Sequence, residues 1–560
     1  MNNRIRAIVL AICLMVSLGL LYVSAIKSNI ILISNVEALN LQDSAIGILS
    51  TLNVFYLIGF VVLAVSVLLT INMLMLRSRL LSLLLIFIIL IYLVGYPLLL
   101  SPYPPYLADG TSFSAESSMI SLFGYSSVRP MLYNNGFYPL ALIWEAMLGK
   151  VTGLQPIRLS SIYGFLEPIF LILVAYLVSR RLYEGEDSIH IALLSMLIYI
   201  ALIWSYQFHF SPQDFNIVLF MLLIPLFPMI TGGDSKAIGL LSLAAVTLTL
   251  THQTEMPILI ASLAALLLLR LVRRARYWPI ALNMLTVSSA MFMAYSIYAF
   301  MGNIEIISGV FSPSAIERLI TLLLGRVSHA VFFEESLQSV YPLRLMVYRL
   351  ELHGGYAMAV FELIASISIY LWLLLRGGDK FREAYASVMV GGLVVIALVT
   401  IALGSYGNRV VIYTAPILSG FLGAYLWRIV KRWRNIIYFI IPILMILGFM
   451  GLIFSSSTIY WDYSAGNPVT WVSFRLMYGL GYHCNLATYY NTNWLTGYEL
   501  LKLTHSINNP CTYQLFDFNK DDLLYLANDV NLESFRNALS SILNSSIIYN
   551  DGLNLVSTGP

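Results

Sequence analysis

Charge is scarce in this chain. Only 11% of its 560 residues are Asp, Glu, Lys or Arg, against about 25% in a typical soluble domain. The charges also nearly cancel, 31 Lys and Arg against 28 Asp and Glu, for a net +3. That balance argues against the basic surface a nucleic-acid-binding protein needs. Cysteine is scarcer still. Cys13, Cys484 and Cys511 show no spacing that would hold zinc or an iron–sulfur cluster. Neither a Walker A motif nor a dinucleotide fingerprint occurs, which argues against an ATP-driven pump or a nicotinamide enzyme.

What is there is apolar. Hydrophobic residues make up 59% of the chain and the mean hydropathy is +0.82. A helix crosses the hydrocarbon layer in about 20 apolar residues, because lipid leaves backbone groups no partner but each other. Such stretches fall near 6–26, 46–75, 79–100, 158–178, 189–208, 214–231 and 236–252. Others lie near 257–272, 279–300, 356–375, 384–404, 408–428 and 436–456. The expected fold is therefore an all-α polytopic membrane protein with about thirteen spans.

Every second short loop is basic, which orients the spans. Arg77 and Arg79, Arg180 and Arg181, and Arg273, Arg274 and Arg276 form the first three basic loops. Arg376, Lys380 and Arg382, then Arg428, Lys431, Arg432 and Arg434, continue the series, and the short 232–236 loop adds Lys236. With Arg4 and Arg6 on the same side, the N-terminus is expected in the cytoplasm and the C-terminus outside. Val23-Ser24-Ala25 resembles a signal-peptide cleavage site, but the apolar core before it is long, so residues 1–25 are read as a retained span.

Three stretches are then external: loop 101–157, loop 302–355 and the tail 457–560. Residues 138–153, opening with Tyr138-Pro139-Leu140, are apolar but too short to span and read as an interfacial or re-entrant helix. The tail, expected to form a small α/β or mixed domain, is richer in Asn, Asp and Ser. It holds Cys484 and Cys511 on the oxidising side. A disulfide there would contribute roughly 3–4 kcal/mol; the other reading is two free thiols.

In a membrane protein the informative polar residues are those in or beside apolar spans. Loop 101–157 carries Asp109 and Glu116. The turn His209-Phe210-Ser211-Pro212-Gln213-Asp214 joins two spans. Capping explains Ser211, Pro212 and Asp214, but not His209 or Gln213. The turn Thr251-His252-Gln253-Thr254-Glu255 joins the next pair, so two of only seven histidines fall in adjacent outer turns. Asn408-Arg409 opens a later span from the outside, where an arginine runs against the positive-inside trend. It either snorkels to lipid headgroups or offers a fork of donors to a phosphate. Loop 302–355 mixes Arg318, Arg326, Arg344 and Arg349 with Glu317, Glu334 and Glu335. Glu167, before Pro168, and Glu362 lie within spans.

Over roughly 79–456 this pattern resembles the GT-C superfamily of membrane glycosyltransferases, which use lipid-phosphate-linked sugars as donors. The resemblance rests on the acids after the 79–100 span, the Tyr138-Pro139-Leu140-Ala141-Leu142 segment and Ser179-Arg180-Arg181-Leu182. It also rests on the Phe210-Ser211-Pro212-Gln213 and Thr251-His252-Gln253-Thr254 turns, Arg409 followed by Pro416, and Ile548-Tyr549-Asn550-Asp551-Gly552. It implies a general base at Asp109, and at Glu116 a second acid or a ligand of a divalent metal ion. It also implies that Arg409 holds the lipid phosphate, in a site where His209, Gln213, His252, Gln253 and Glu255 contact substrate. Asp109 and Glu116 stand apart here, where many members of the superfamily have adjacent acids.

The expected organisation is N-terminal membrane helices over 1–78, a GT-C-like core over 79–456 and an extracytoplasmic domain over 457–560. The expected function is inverting transfer of a sugar from a polyprenyl- or dolichyl-phosphate donor to a glycan or protein acceptor at the outer face. Two other readings stand beside it: a lipid or sugar transporter or flippase, and a non-catalytic membrane assembly protein.

Overall fold

The computed structural model describes residues 3–34, 53–72, parts of 85–128, most of 137–203 and 210–299, then 342–403 and 410–456, together with four short strands. Among the described residues, thirteen longer helices organise the chain. They are α1 (Asn3–Ser34), α2 (Val54–Asn72), α3 (Leu140–Thr152), α4 (Pro156–Leu182), α5 (Ser188–Leu202) and α6 (Pro212–Leu223). After these come α7 (Ser235–Thr251), α8 (Glu255–Val272), α9 (Trp278–Tyr298), α10 (Pro342–Arg376), α11 (Lys380–Leu403), α12 (Val410–Arg432) and α13 (Ile437–Ser456). A 3₁₀ turn and a short helix carry α6 on to Ile230.

Among the described residues, seven helices are long and apolar enough to cross a membrane, within α1, α4, α6 with its continuation to Met229, α8, α9, α10 and α11. Shorter apolar helices lie within α2, α5, α7 and α13. The protein is an integral membrane protein. Helix α10 begins at Pro342, well before the span expected at 356. The first part of its sequence, Leu343-Arg344-Leu345-Met346, consists of strong helix formers, so part of the expected loop is helix.

The α3 helix matches the expected short apolar segment. Its 13 residues reach about 20 Å, short of the roughly 30 Å hydrocarbon layer. Ala141, Leu142, Glu145 and Ala146 are buried on one face, while Trp144, Met147 and Val151 are exposed. Gly153 ends it in the left-handed region at φ 71°, where glycine bears no side-chain penalty.

In the bundle, α12 packs against α4, α5, α10 and α11, while α8 lies between α9 and α11. The α8–α11 contact is close because Gly391 lacks a side chain. A Cβ there would sit 2.7 Å from the Cα of Ser262, the small-residue packing typical of membrane helices. A second, smaller core of Ile120, Ala141, Leu142, Ala146, Tyr163, Phe210 and Val218 ties α3 to α4 and α6. In the tail, β1 (Asn485–Thr488), β2 (Thr512–Asp517), β3 (Ile547–Asn550) and β4 (Asn554–Thr558) form one sheet in the order β1-β2-β4-β3. The β1–β2 pair is parallel and the other pairs are antiparallel.

Candidate functional site

The N-terminus of α6 is built as its sequence dictates. Ser211 is extended, at φ −146° and ψ 162°, and its Oγ accepts from the Asp214 backbone N–H at 3.0 Å. In return Ser211 donates to Asp214 Oδ2 at 2.5 Å, and Pro212 occupies the first helical position, where no N–H is needed. Capping accounts for these three residues. One turn further along, Asn216 is fully buried and its Nδ2 donates to Glu255 Oε2 at 2.7 Å and to the Leu248 carbonyl at 3.0 Å.

Glu255, the first residue of α8, is 0% exposed, and four side chains from α6, α12 and the α7–α8 turn converge on it. Its Oε2 accepts from Asn216 and lies 3.3 Å from His252 Nδ1. Its Oε1 accepts from the Thr254 hydroxyl at 2.8 Å and from the Tyr413 hydroxyl. Tyr413 sits in the first turn of α12, and Gln213 lies within hydrogen-bonding reach of its hydroxyl. The N-terminal turns of α6, α8 and α12 therefore meet around one carboxylate. Each such turn carries a partial positive charge, which favours a carboxylate at this place.

His252 fixes the edge of the site. Its Nδ1 is also 2.8 Å from Thr254 Oγ1, and its side chain is 20% exposed, while its ring lies 6.5 Å from that of Tyr138. Tyr138 in turn contacts Tyr295 at 5.9 Å, and Tyr295 donates to the Phe137 carbonyl. These contacts join the approach to α3, the end of α9 and the α7–α8 turn. From α3, the fully buried Glu145 accepts from Ser114 at 3.4 Å. Ser114 belongs to the same segment as Glu116, which is partly buried.

The structure thus brings Gln213, His252 and Glu255 together. Gln253, beside them in the turn, has its Oε1 buried without a hydrogen-bond partner among the described residues. Asp109, His209, Arg409, Cys484 and Cys511 lie outside the described residues. Arg409 immediately precedes Val410, the first residue of α12. Among the described residues no three His, Cys, Asp or Glu side chains gather, so the divalent-metal expectation stays with Asp109 and Glu116. The sequence motifs included Tyr138 and Thr254 without a role in the site, and did not single out Asn216, Tyr413 or Glu145. For Asn216 the signal was present, a lone amide in the apolar run Phe215-Asn216-Ile217-Val218.

No family model and no curated protein matches the chain. Among solved structures, the oligosaccharyltransferase of Archaeoglobus fulgidus, in complex with zinc and sulfate, aligns at TM-score 0.42 and 11% identity over 67% of this chain. The alignment spans 53% of that enzyme, about half its length. The archaeal oligosaccharyltransferase AglB from Archaeoglobus fulgidus, with an inhibitory peptide and a dolichol-phosphate, aligns at TM-score 0.37 and 14% identity, over 68% of this chain and 56% of that one. ArnT from Cupriavidus metallidurans, bound to undecaprenyl phosphate, aligns at 0.34 and 12%, over 89% of this chain and 98% of that one. Likeness at such scores is too slight to carry a function, so the functional reading rests on the site residues.

Proposed function

We propose that the chain is an inverting membrane glycosyltransferase that moves a sugar from a polyprenyl-phosphate donor to a glycan or protein acceptor at the outer face of a thirteen-span bundle. The observation that carries this reading is the meeting of three helix N-terminal turns, those of α6, α8 and α12, on buried Glu255 beside partly exposed His252. The donor's phosphate is a good leaving group, so transfer needs little acid assistance. It needs a base for the acceptor hydroxyl and preorganised donors facing the phosphate as charge grows on it. The N-terminal turns supply part of the second requirement, and Arg409, one residue before α12, the rest. Asp109 is the residue assigned to the first, with Glu116 as second acid. Glu255, with both oxygens already bonded, acts through His252.

The test uses the purified protein in lipid nanodiscs with a panel of radiolabelled polyprenyl-phosphate sugars. Asp109→Asn should leave folding and donor binding unchanged and lower transfer by about 10²- to 10⁴-fold. Undiminished transfer would remove Asp109 from the role of base.

A transporter is the second reading, because Glu362 of α10 is fully buried with Thr414 of α12 donating to it and its Oε1 unpartnered among the described residues. Intramembrane carboxylates often mark a substrate path. Movement of a polyprenyl-phosphate sugar across vesicles without any glycosylated product would favour that reading.

A further inference from the structure

We propose that His252 is a charged hydrogen-bond donor to the donor lipid's phosphate, held in place by Glu255. The inference rests on the transferase reading for what the phosphate carries, and on the local geometry for everything else.

The tautomer follows from the hydroxyl of Thr254. That hydroxyl donates its single proton to Glu255 Oε1, so toward His252, 2.8 Å away, its oxygen can only accept. Glu255 Oε2, at 3.3 Å from the same Nδ1, also accepts. Nδ1 therefore carries a proton, and Nε2, on the far side of the ring, is the nitrogen left for a ligand. A neutral imidazole in this tautomer would turn a lone pair toward a phosphate and repel it. A doubly protonated one presents a charged N–H.

Charge balance selects the second form when a phosphate arrives. Glu255 is fully buried, and its other partners, Asn216, Thr254 and Tyr413, are neutral donors. A buried charge is costly without a counter-charge, and His252 is the one cation-forming side chain that touches this carboxylate among the described residues. Among the described residues the imidazole faces Glu255 of α8 and the ring of Tyr138 before α3, with Tyr413 of α12 bonded to Glu255 and Tyr295 of α9 against Tyr138. One carboxylate faces Nδ1, so imidazolium gains an anion at that nitrogen and a phosphate at the other. Charge-assisted bonds of this kind are the strong ones.

The consequence is that phosphate binding should weaken as pH rises. The probe is a fluorescent polyprenyl methyl phosphodiester, a diester whose own charge stays constant over the titration. It is titrated onto the intact protein in nanodiscs from about pH 5 to about pH 9. Polyprenol, lacking phosphate, and soluble dimethyl phosphate, also a diester, separate the contribution of the chain from that of the headgroup. The unaltered protein should lose about 10- to 100-fold in affinity for the diester across the range and should bind polyprenol equally at all pH values. In His252→Gln the affinity should be uniformly low, and in His252→Arg it should recover in part without the pH dependence.

Diester binding that does not change with pH in the unaltered protein, or absence of binding at every pH, overturns the inference even if no variant folds. So does a His252→Gln protein that binds as tightly as the unaltered one at low pH. Binding with the stated pH dependence but no sugar transfer from any donor would keep the phosphate site and remove the transferase.

Discussion

The two ends of α8 carry ionisable side chains and treat them in opposite ways. At the end that begins with Glu255 the carboxylate is fully buried and met by neutral donors and one imidazole. At the other end Arg270 is 1% exposed, Arg273 donates to the Leu373 carbonyl at 3.2 Å, and nearby charges pair at the surface. Arg382 meets Asp379 at 3.3 Å and covers the ring of Tyr183 at 5.6 Å, while Lys431 pairs with Asp187. Exposed pairs contribute little energy and tolerate change, whereas a buried, converging network gains only if every member is satisfied. One end is flanked by exposed ion pairs; the other holds a fixed array of donors.

Substitutions can break this comparison, beginning where the effect should be largest. Asn216→Ala removes the amide that bonds Glu255 and the Leu248 carbonyl at once. It should destabilise the protein by about 2–4 kcal/mol and lower transfer sharply, read by thermal melting in nanodiscs alongside the sugar-transfer assay. Tyr413→Phe deletes one donor to the same carboxylate and should cost about 1–3 kcal/mol. A change as small as that of a surface substitution would mean the network is not preorganised.

Gly391→Ala tests the strut between the two ends. The added methyl meets the Ser262 hydroxyl and also its backbone N and Cα, at 2.5 and 2.7 Å, so α8 and α11 must part, at about 1–3 kcal/mol. Asp187→Asn should matter least. Lys431 holds the Asp187 carboxyl below its ordinary value through a hydrogen bond, against a smaller opposing effect of burial. With the folded value below the unfolded one, the pair's contribution is present above about pH 4 and lost as pH falls through the folded value. At 42% and 55% exposure it amounts to under about 1 kcal/mol, and transfer at neutral pH should not change.

The helices were legible because hydrocarbon demands a composition that soluble proteins lack. The cap at Ser211 and the short helix at 140–152 were legible because capping and length rules act locally. The clustering of Gln213, His252 and Glu255 was suggested by adjacent polar turns. Asn216 and Tyr413 were not singled out, because their partner is 39 and 158 residues away in the chain and each alone reads as a polar residue inside an apolar helix. Glu145 was hidden for the same reason: its contact with Ser114 spans 31 residues. The early start of α10 was missed because apolarity, the signal for a span, is not the signal for a helix.

The sequence separations around Glu255 also set an order of assembly. His252 and Thr254 reach it from within one turn of chain, so that portion can close as soon as α8 begins to wind. Asn216 is already present, since α6 is synthesised earlier. Tyr413 arrives only after α9, α10 and α11 have been made. The nascent protein therefore carries an acid lacking its last donor until α12 enters the bilayer. A chain cut short before that helix would keep the wound turn and lose the clasp that fastens it.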